Sequence, residues 1–207
     1  VEIPYMIGIT GILLLLGGKD NTVGFLDGII LWVLFIAYLT YLFIMAKKGK
    51  KNEENDKKDQ SIIKLIVFTV GGMVLIVLGS NFSVDGATYI AEFFGVSERI
   101  IGLTIVALGT SLPELVTSVT AARKGNADIA IGNIVGSNVF NILFILGTTA
   151  LITPIPYADK FIVDTIFAII VGMVLWVCVF KSKRLSRAAG IIMLILEVFY
   201  LVYLFVV

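Results

Sequence analysis

The stretch IVALGTSLPELVTSV places a carboxylate, a proline and four hydroxyl groups inside an otherwise apolar run. Thr110 and Ser111 lie one turn before Glu114, and Thr117 and Ser118 lie one turn after it. This spacing allows the hydroxyl and carboxylate oxygens to share one face of a helix. Because oxygens of this kind are ligands for hard cations, the stretch predicts a cation site.

Pro113 is expected to break the helix that carries this stretch. Proline has no amide hydrogen and clashes with the carbonyl four residues earlier, so it frees the Gly109 carbonyl and disturbs the turn containing Ala107 and Thr110. Free carbonyls are costly in lipid, so such a break must face protein or an aqueous cavity. Because Glu114 is an acidic group at membrane depth beside the break, we hypothesise that it is a functional residue.

A second polar stripe lies in DIAIGNIVGSNVFNILFILG, where Asn133, Ser137 and Asn141 follow i, i+4 and i+8 spacing. Gly132 and Gly136 form a GxxxG pair that permits close helix approach. The combined amide, hydroxyl, carbonyl and carboxylate oxygens suit Na⁺ or Ca²⁺ and lack the soft donors for zinc or copper. Two structural alternatives stay open, because hydroxyls can bond to their own backbone and asparagine can link helices.

Composition places these motifs in a membrane. The chain is 58% hydrophobic and 15% charged, with a mean hydropathy of +1.03, whereas a globular domain is about 25% charged. A helix that crosses the hydrocarbon core needs roughly 20 apolar residues. Segments of about this length are predicted at 23–46, 62–93, 98–122, 128–151, 161–180 and 185–207, with a shorter apolar piece at 4–16.

Residue types exclude several classes of function. A net charge of +1 gives no electrostatic field for nucleic acid. The chain has no histidine, which removes histidine relays, bases and metal ligands. The single Cys178 excludes an intrachain disulfide. Two further acids are interpreted structurally: Asp85 as an interfacial group, and Glu197 as a protein-facing or interfacial one.

The basic residues predict the orientation, since Lys and Arg are enriched in cytoplasmic loops. If the hydrophilic linker 47–60 is cytoplasmic, 13 of the 16 Lys and Arg residues lie inside, and the exceptions are Lys19, Arg99 and Lys160. We therefore expect a multi-pass protein of the cell (inner or plasma) membrane, with the linker inside and Val207 outside.

An internal repeat divides the chain. GIILWVLFIAYLTYLF begins at Gly28 and GIIMLILEVFYLVYLF begins 162 residues later at Gly190, although two Leu- and Ile-rich helices could match by chance. We predict that residues 1–46 end a truncated first repeat and that residues 61–207 form a complete five-helix repeat. An odd helix number inverts one copy relative to the other. The same offset projects the partner of the polar motif upstream of residue 1, so the chain is expected to be the C-terminal part of a longer protein.

Residues 109–147, GTSLPELVTSVTAARKGNADIAIGNIVGSNVFNILFILG, resemble the alpha-repeat signature of the cation/calcium exchanger superfamily, specifically of prokaryotic sodium/calcium exchangers. The wider motif region is 105–147. The resemblance implies an all-α polytopic membrane protein with an inverted-repeat fold that exchanges Na⁺ for Ca²⁺ by alternating access. It implies no cofactor beyond the transported ions. It implies a ligand set made of the Ala107 carbonyl, Thr110, Ser111, Glu114, Ser137 and Asn141.

The first alpha-repeat, which supplies a second glutamate in this family, is missing. Because one carboxylate cannot neutralise a divalent ion in a low-dielectric site, we expect this chain not to transport without that N-terminal half as a partner. Asn141 replaces the aspartate of potassium-dependent relatives, and the absence of histidine departs from the proton-coupled branch. A different coupling ion, H⁺ or K⁺, and a non-transporting membrane scaffold remain the alternatives. An intramembrane enzyme is disfavoured, because the chain lacks histidine and an evident pair of membrane carboxylates.

Overall fold

A computed structural model describes residues 2–49, 62–96, 101–180 and 185–206. Nearly all of these residues are helical. The elements in chain order are α1 (Glu2–Asp20), β1 (Thr22–Val23), α2 (Phe25–Gly49), α3 (Ile62–Phe93), the π-helix π1 (Gly102–Val106), α4 (Ala107–Thr110), α5 (Leu112–Arg123), α6 (Ala127–Phe140), the π-helix π2 (Asn141–Leu146), α7 (Gly147–Ile152), β2 (Ile155–Pro156), α8 (Asp159–Phe180) and α9 (Arg187–Val206).

Six helical segments of the described chain are long and apolar enough to cross a membrane, and a bent pair of helices brings the number to seven. Their outer faces carry large exposed apolar side chains, for example Phe82 at 76% and Phe93 at 79% exposure. Surfaces of this kind match lipid rather than water. The chain is therefore an all-α, multi-pass membrane protein, as the composition predicts.

Two helices extend beyond the apolar segments predicted for them. The apolar piece at 4–16 belongs to the full-length helix α1, because Gly17 and Gly18 lower the local hydropathy without ending the helix. Helix α2 continues to Gly49, past the end of the apolar segment predicted at 23–46. Lys47 and Lys48 occupy the last turn of α2, where the helix dipole favours cations. The rest of the linker, residues 50–60, lies outside the described residues.

The chain forms two compact units, one of residues 1–45 with 134–207 and the other of residues 46–133. In the first unit, α1 packs against α8 at Gly172, where a Cβ atom would lie 3.0 Å from Ile7 Cγ1. Strands β1 and β2 pair antiparallel, with Val23 opposite Ile155. Because this pairing joins the end of α1 to the start of α8, the two packed helices run antiparallel.

Tyr157 fastens the strand pair to both helices. Its amide donates to the Asn21 carbonyl at 2.7 Å, and its ring lies so close to Gly17 that a Cβ atom there would be 2.5 Å from the ring. Its hydroxyl hydrogen-bonds with Thr165. Burial raises the pKa of the Tyr157 phenol, the Thr165 hydrogen bond lowers it, and nearby Asp164 raises it. The phenol therefore stays protonated near neutral pH and can keep donating a hydrogen bond.

In the second unit, glycines end two helices. Gly95 after α3 and Gly125 after α5 have φ values of +74° and +79°, the left-handed conformation that glycine adopts without strain. After α5, the Gly125 amide donates to the Ala122 carbonyl and the Asn126 amide donates to the Ala121 carbonyl. This Schellman arrangement closes the helix and turns the chain towards α6.

Candidate functional site

The predicted break in the motif helix is present. Helix α4 ends at Thr110 and α5 begins at Leu112, and the segment Thr104–Thr110 is bent by 52° relative to α5. Pro113 stands in the first turn of α5, where its missing amide is tolerated. The Ser111 amide donates to the Leu108 carbonyl at 3.1 Å, three residues back, so the last turn before the break is tightened. The break therefore follows from the proline, as its chemistry predicts.

Helix α3 supports this break from within the same unit. Gly109, in the last turn of α4, is buried, and a Cβ atom at this position would overlap Val84 Cγ2 and lie 3.2 Å from Val84 Cβ. Only glycine leaves room for the Val84 side chain at this position. The glycine of the motif thus has a packing role as well as a place beside the break.

The predicted ligands of this segment surround the break. Ala107 begins α4 and Thr110 ends it, Ser111 lies between the helices, and Glu114 lies in the first turn of α5. Thr110 and Ser111 are exposed, whereas Glu114 is half-buried. The structure thus brings two hydroxyl groups and one carboxylate to a single irregular turn, which is the kind of place where helix interiors offer oxygen ligands.

The second hydroxyl pair has a structural role, as one of the open alternatives allows. Thr117 Oγ1 donates to the Pro113 carbonyl of its own helix at 2.8 Å. Asn133 Nδ2 donates to Ser118 Oγ at 3.0 Å and to the backbone carbonyl of Glu114 at 3.2 Å. These bonds tie α6 to α5. Asn133 therefore contacts the main chain of the motif glutamate and holds it in place.

Ser137 and Asn141 belong to the first compact unit, whereas Glu114 belongs to the second. Ser137 is half-buried on α6, and Asn141 is exposed at the first residue of π2. A π-helix within a longer helix is rare and occurs frequently at functional sites. The i+4 spacing placed Ser137 and Asn141 on one α-helical stripe, but the widened turns begin at Asn141.

Aromatic packing from α2 holds π2. The Trp32 ring lies 5.3 Å from that of Phe144, and Phe35 lies 6.0 Å from Phe140 and 5.4 Å from Phe144, measured between ring centroids. Trp32 Nε1 donates to Thr148 Oγ1 at 3.2 Å. Neither π-helix was predicted, since periodicity cannot distinguish a π-turn from an α-turn. In the sequence, Phe140 and Phe144 were the residues that could have indicated that this segment packs against another helix.

The hydroxyl and carboxylate oxygens around the break are groups that hard cations prefer as ligands. The described residues contain no group of three or more His, Cys, Asp and Glu side chains that could hold a metal ion. Hydroxyl, amide and carbonyl oxygens with one carboxylate can bind Na⁺ directly, whereas a divalent ion needs more negative charge.

Comparison with known proteins places this motif in a family. The sequence model described as sodium/calcium exchanger protein matches residues 64–206. The inner membrane protein YrbG of Escherichia coli is 40% identical over 129 residues, which are 59% of this chain and 39% of that protein. The sodium/calcium exchanger MaX1 of Methanosarcina acetivorans is 38% identical over 131 residues, which are 63% of this chain and 37% of that protein.

Solved structures agree with the sequence relatives. A structure of the sodium-calcium exchanger NCX_Mj matches with a TM-score of 0.79 and 29% identity, covering 98% of this chain and 64% of that one. The chain thus spans less than two thirds of each of these three proteins. Fold, motif and family match lead to the same conclusion: the chain belongs to the sodium/calcium exchanger protein family.

Proposed function

We propose that this chain forms part of a secondary-active antiporter that exchanges Na⁺ for Ca²⁺ across the membrane by alternating access. The observation that carries the proposal is the break at Ser111, which puts a half-buried Glu114 in the first turn after a 52° bend within a membrane segment. Lipid does not tolerate such a break or such a charge, so the segment must face protein or an ion pathway. The function is transport, and no enzymatic step is proposed.

The ligand set is proposed from the motif and the placement of its residues. The Ala107 carbonyl, Thr110, Ser111 and Glu114 supply oxygens from the broken helix. Ser137 and Asn141, in the other unit, are proposed as further ligands on the strength of the motif. Thr117 and Ser118 are left out, because their hydroxyl groups take part in hydrogen bonds that hold α5 and α6.

A second carboxylate is needed for a divalent ion, and we propose that an inverted first repeat supplies it. Contacts within the first unit support the repeat. The Tyr5 and Tyr38 rings stack at 5.1 Å and 8°, and the Phe167 and Tyr200 rings, each 162 residues later, stack at 4.6 Å and 10°. The same offset links the starts of α2 at Phe25 and α9 at Arg187. Chance similarity of two apolar helices does not explain repeated contact geometry.

The proposed orientation is supported by the short strand pair. β1 lies in the loop between α1 and α2, and β2 lies in the loop between α7 and α8. Their hydrogen bonds require both loops to emerge on the same side of the membrane. These two loops are flanked by one lysine each, Lys19 in the last turn of α1 and Lys160 in the first turn of α8, whereas the linker after α2 is rich in lysine. We therefore propose that the linker is cytoplasmic and that both paired loops are outside.

The test is ion exchange by the complete transporter, made of this chain with the upstream repeat, in liposomes. We expect calcium uptake when an outward Na⁺ gradient is imposed, and no uptake with K⁺ or H⁺ gradients of the same size. Calcium uptake driven by a K⁺ or H⁺ gradient instead would support the alternative in which that ion is the coupling ion. A complete protein that binds neither Na⁺ nor Ca²⁺ in calorimetry would support the membrane scaffold and contradict exchange.

A further inference from the structure

Trp32 contacts the segment that follows Asn141 on both sides of the change from π2 to α7. Its ring lies 5.3 Å from that of Phe144 within π2, and its Nε1 donates to Thr148 Oγ1 at 3.2 Å within α7. The donor and the acceptor are 116 residues apart in sequence, so this bond is a tertiary contact and not part of either helix. Trp32 is therefore placed to control how the turns between Asn141 and α7 are wound.

The start of α7 is held against α2 at a fixed rotation. A Cβ atom on Gly147 would lie 3.2 Å from Leu31 Cβ and 3.3 Å from Trp32 Cδ1, and a Cβ atom on Gly28 would lie 2.9 Å from the Gly147 carbonyl oxygen. Leu31 is fully buried. Because close-packed contacts of this kind leave no spare volume, α7 cannot rotate about its axis while it stays on α2.

The winding of π2 and the rotation of α7 depend on each other. A π-helix closes its hydrogen bonds five residues apart and an α-helix four residues apart, so π2 accommodates an extra residue. Since each residue of an α-helix turns the chain by about 100°, a return of π2 to α-helical winding would rotate α7 against α6 by roughly that angle. The Trp32 hydrogen bond and the Gly147 contacts would then be lost. The contacts with α2 thus favour the π conformation.

Asn141, the first residue of π2, depends on this winding for its direction. The two asparagines of α6 are held by their own amides, because Asn133 donates to α5 and Asn138 donates to the Ile134 carbonyl at 2.9 Å. Among the described residues, no such bond holds the exposed Asn141 amide. The backbone of π2 therefore sets the direction of the Asn141 side-chain oxygen relative to Ser137.

We propose that Trp32 is a positioning residue for ion binding, and that its indole group fixes the direction of the Asn141 side-chain oxygen by holding π2 in the π conformation. The inference rests on the proposed function, because Asn141 is proposed there as a ligand of the transported ion. An indole has a hydrogen-bond donor and no acceptor. Trp32 therefore offers no ligand of its own and acts through the segment that it contacts.

The winding of π2 can be measured from a disulfide between Leu31→Cys and Gly147→Cys in the complete transporter, in a background without other cysteines. The Cβ separation of 3.2 Å at this pair is near the range of about 3.5–4.5 Å found in disulfides. Trp32→Phe keeps an aromatic ring and removes the donor. We expect it to slow disulfide formation about threefold, the effect of one average hydrogen bond between membrane helices.

The matched control is Tyr5→Phe. It removes a hydrogen bond from Tyr5 Oη to the Leu34 carbonyl at 2.8 Å, which joins α1 to α2 and does not involve π2. The rate of disulfide formation should not change in this variant. Equal rates for Trp32→Phe and Tyr5→Phe would overturn the control of the winding by Trp32.

The role in ion binding is tested by a double-mutant cycle with Asn141→Ala, measured as calcium affinity by calorimetry. Trp32→Leu removes both the ring contact and the donor, so it should lower calcium affinity about tenfold, and Trp32→Phe should lower it less. With Asn141→Ala present, Trp32→Leu should lower calcium affinity no further, because residues that act through one another have non-additive effects. The loss of stability caused by Trp32→Leu should be the same in both backgrounds.

Two outcomes of the cycle would overturn the inference alone: unchanged calcium affinity for Trp32→Leu, or a tenfold loss that persists when Asn141 is alanine. In both cases the unaltered transporter still binds calcium, so the proposed function stands. A transporter that binds neither Na⁺ nor Ca²⁺ would overturn the proposed function and the role of Trp32 in ion binding together. The disulfide rates would then still show whether Trp32 sets the winding of π2, so the two failures can be told apart.

Discussion

Gly109 lies against Val84 without room for a single additional carbon atom, because a Cβ atom at position 109 would overlap Val84 Cγ2. We expect Gly109→Ala to destabilise the protein by about 1–3 kcal/mol, the usual cost of overpacking. Val84→Ala should restore most of the loss in the double variant, since it removes the overlapping methyl groups. The measurement is unfolding of the purified protein in mixed detergent micelles.

Gly79→Ala is the matched control on α3. Its position has open space within 4 Å, so the added methyl group should stabilise the helix by about 1 kcal/mol through propensity alone. If Gly109→Ala were as harmless as Gly79→Ala, the close approach of α3 to the helix break would be wrong.

The part of the site that could be predicted from sequence is the part fixed by covalent chemistry. Pro113 cannot continue the hydrogen bonding of α4, so the break could be located from its residue type, and the extent of the apolar segments followed from hydropathy. The π-helix at Asn141 could not be predicted, because its widened turns are fixed by the ring of Trp32 and the aromatic residues it contacts. Likewise, the i, i+4, i+8 spacing placed Asn133 on the same polar stripe as Ser137 and Asn141. Only the structure shows that the Asn133 side chain is hydrogen-bonded to α5.

Asn133 should matter for stability and little for ion binding. Its amide joins Ser118 Oγ and the Glu114 carbonyl, so Asn133→Leu should cost about 0.6–1.7 kcal/mol, the range of polar contacts between membrane helices. Calcium affinity of the folded complete transporter should stay within about threefold. Asn138→Leu is the control, because the Asn138 amide donates only within its own helix in the described contacts, to the Ile134 carbonyl at 2.9 Å.

Calorimetry on the same detergent-purified samples separates the two roles. A calcium affinity that falls more than tenfold for Asn133→Leu, with unfolding unchanged, would make Asn133 a ligand and contradict the structural assignment.

Sidedness can be tested by labelling single cysteines on intact cells. In a Cys178→Ala background, we expect a membrane-impermeant maleimide to modify Ala158→Cys and to leave Asn55→Cys unmodified until the cells are opened. The physical reason is the retention of lysine-rich segments in the cytoplasm. Labelling of Asn55→Cys from outside would reverse the proposed orientation.

Residues 1–207 alone should not transport calcium. One carboxylate in the motif leaves a divalent ion under-neutralised in a low-dielectric site, and dehydration of that ion is then unfavourable. We expect Na⁺-driven ⁴⁵Ca uptake by the purified chain in liposomes to equal that of empty vesicles, and uptake to appear when the inverted first repeat is co-reconstituted. Sustained uptake by the chain on its own would show that the site is complete without that partner.

In the complete transporter, Glu114→Gln should abolish calcium exchange while the protein still folds. The substitution keeps the size of the side chain and one acceptor oxygen, so the first turn of α5 behind Pro113 should survive. It removes one partner of a buried charge pair with the cation, which costs roughly 3–5 kcal/mol, or more than about 100-fold in affinity. Sodium binding should fall less, because Na⁺ has half the charge and can use Ser111, Ser137 and the Ala107 carbonyl.

The control for this variant is Glu92→Gln, which removes an exposed carboxylate at the end of α3, away from the motif in sequence. Both proteins are compared as monodisperse detergent samples by calorimetry with Ca²⁺ and with Na⁺. Glu92→Gln should bind calcium like the unaltered protein. Were Glu114→Gln to bind calcium within about threefold of the unaltered protein, well below the 1.4 kcal/mol of a tenfold change, Glu114 would be a structural residue. In that case the negative charge that holds Ca²⁺ would have to come from elsewhere in the transporter.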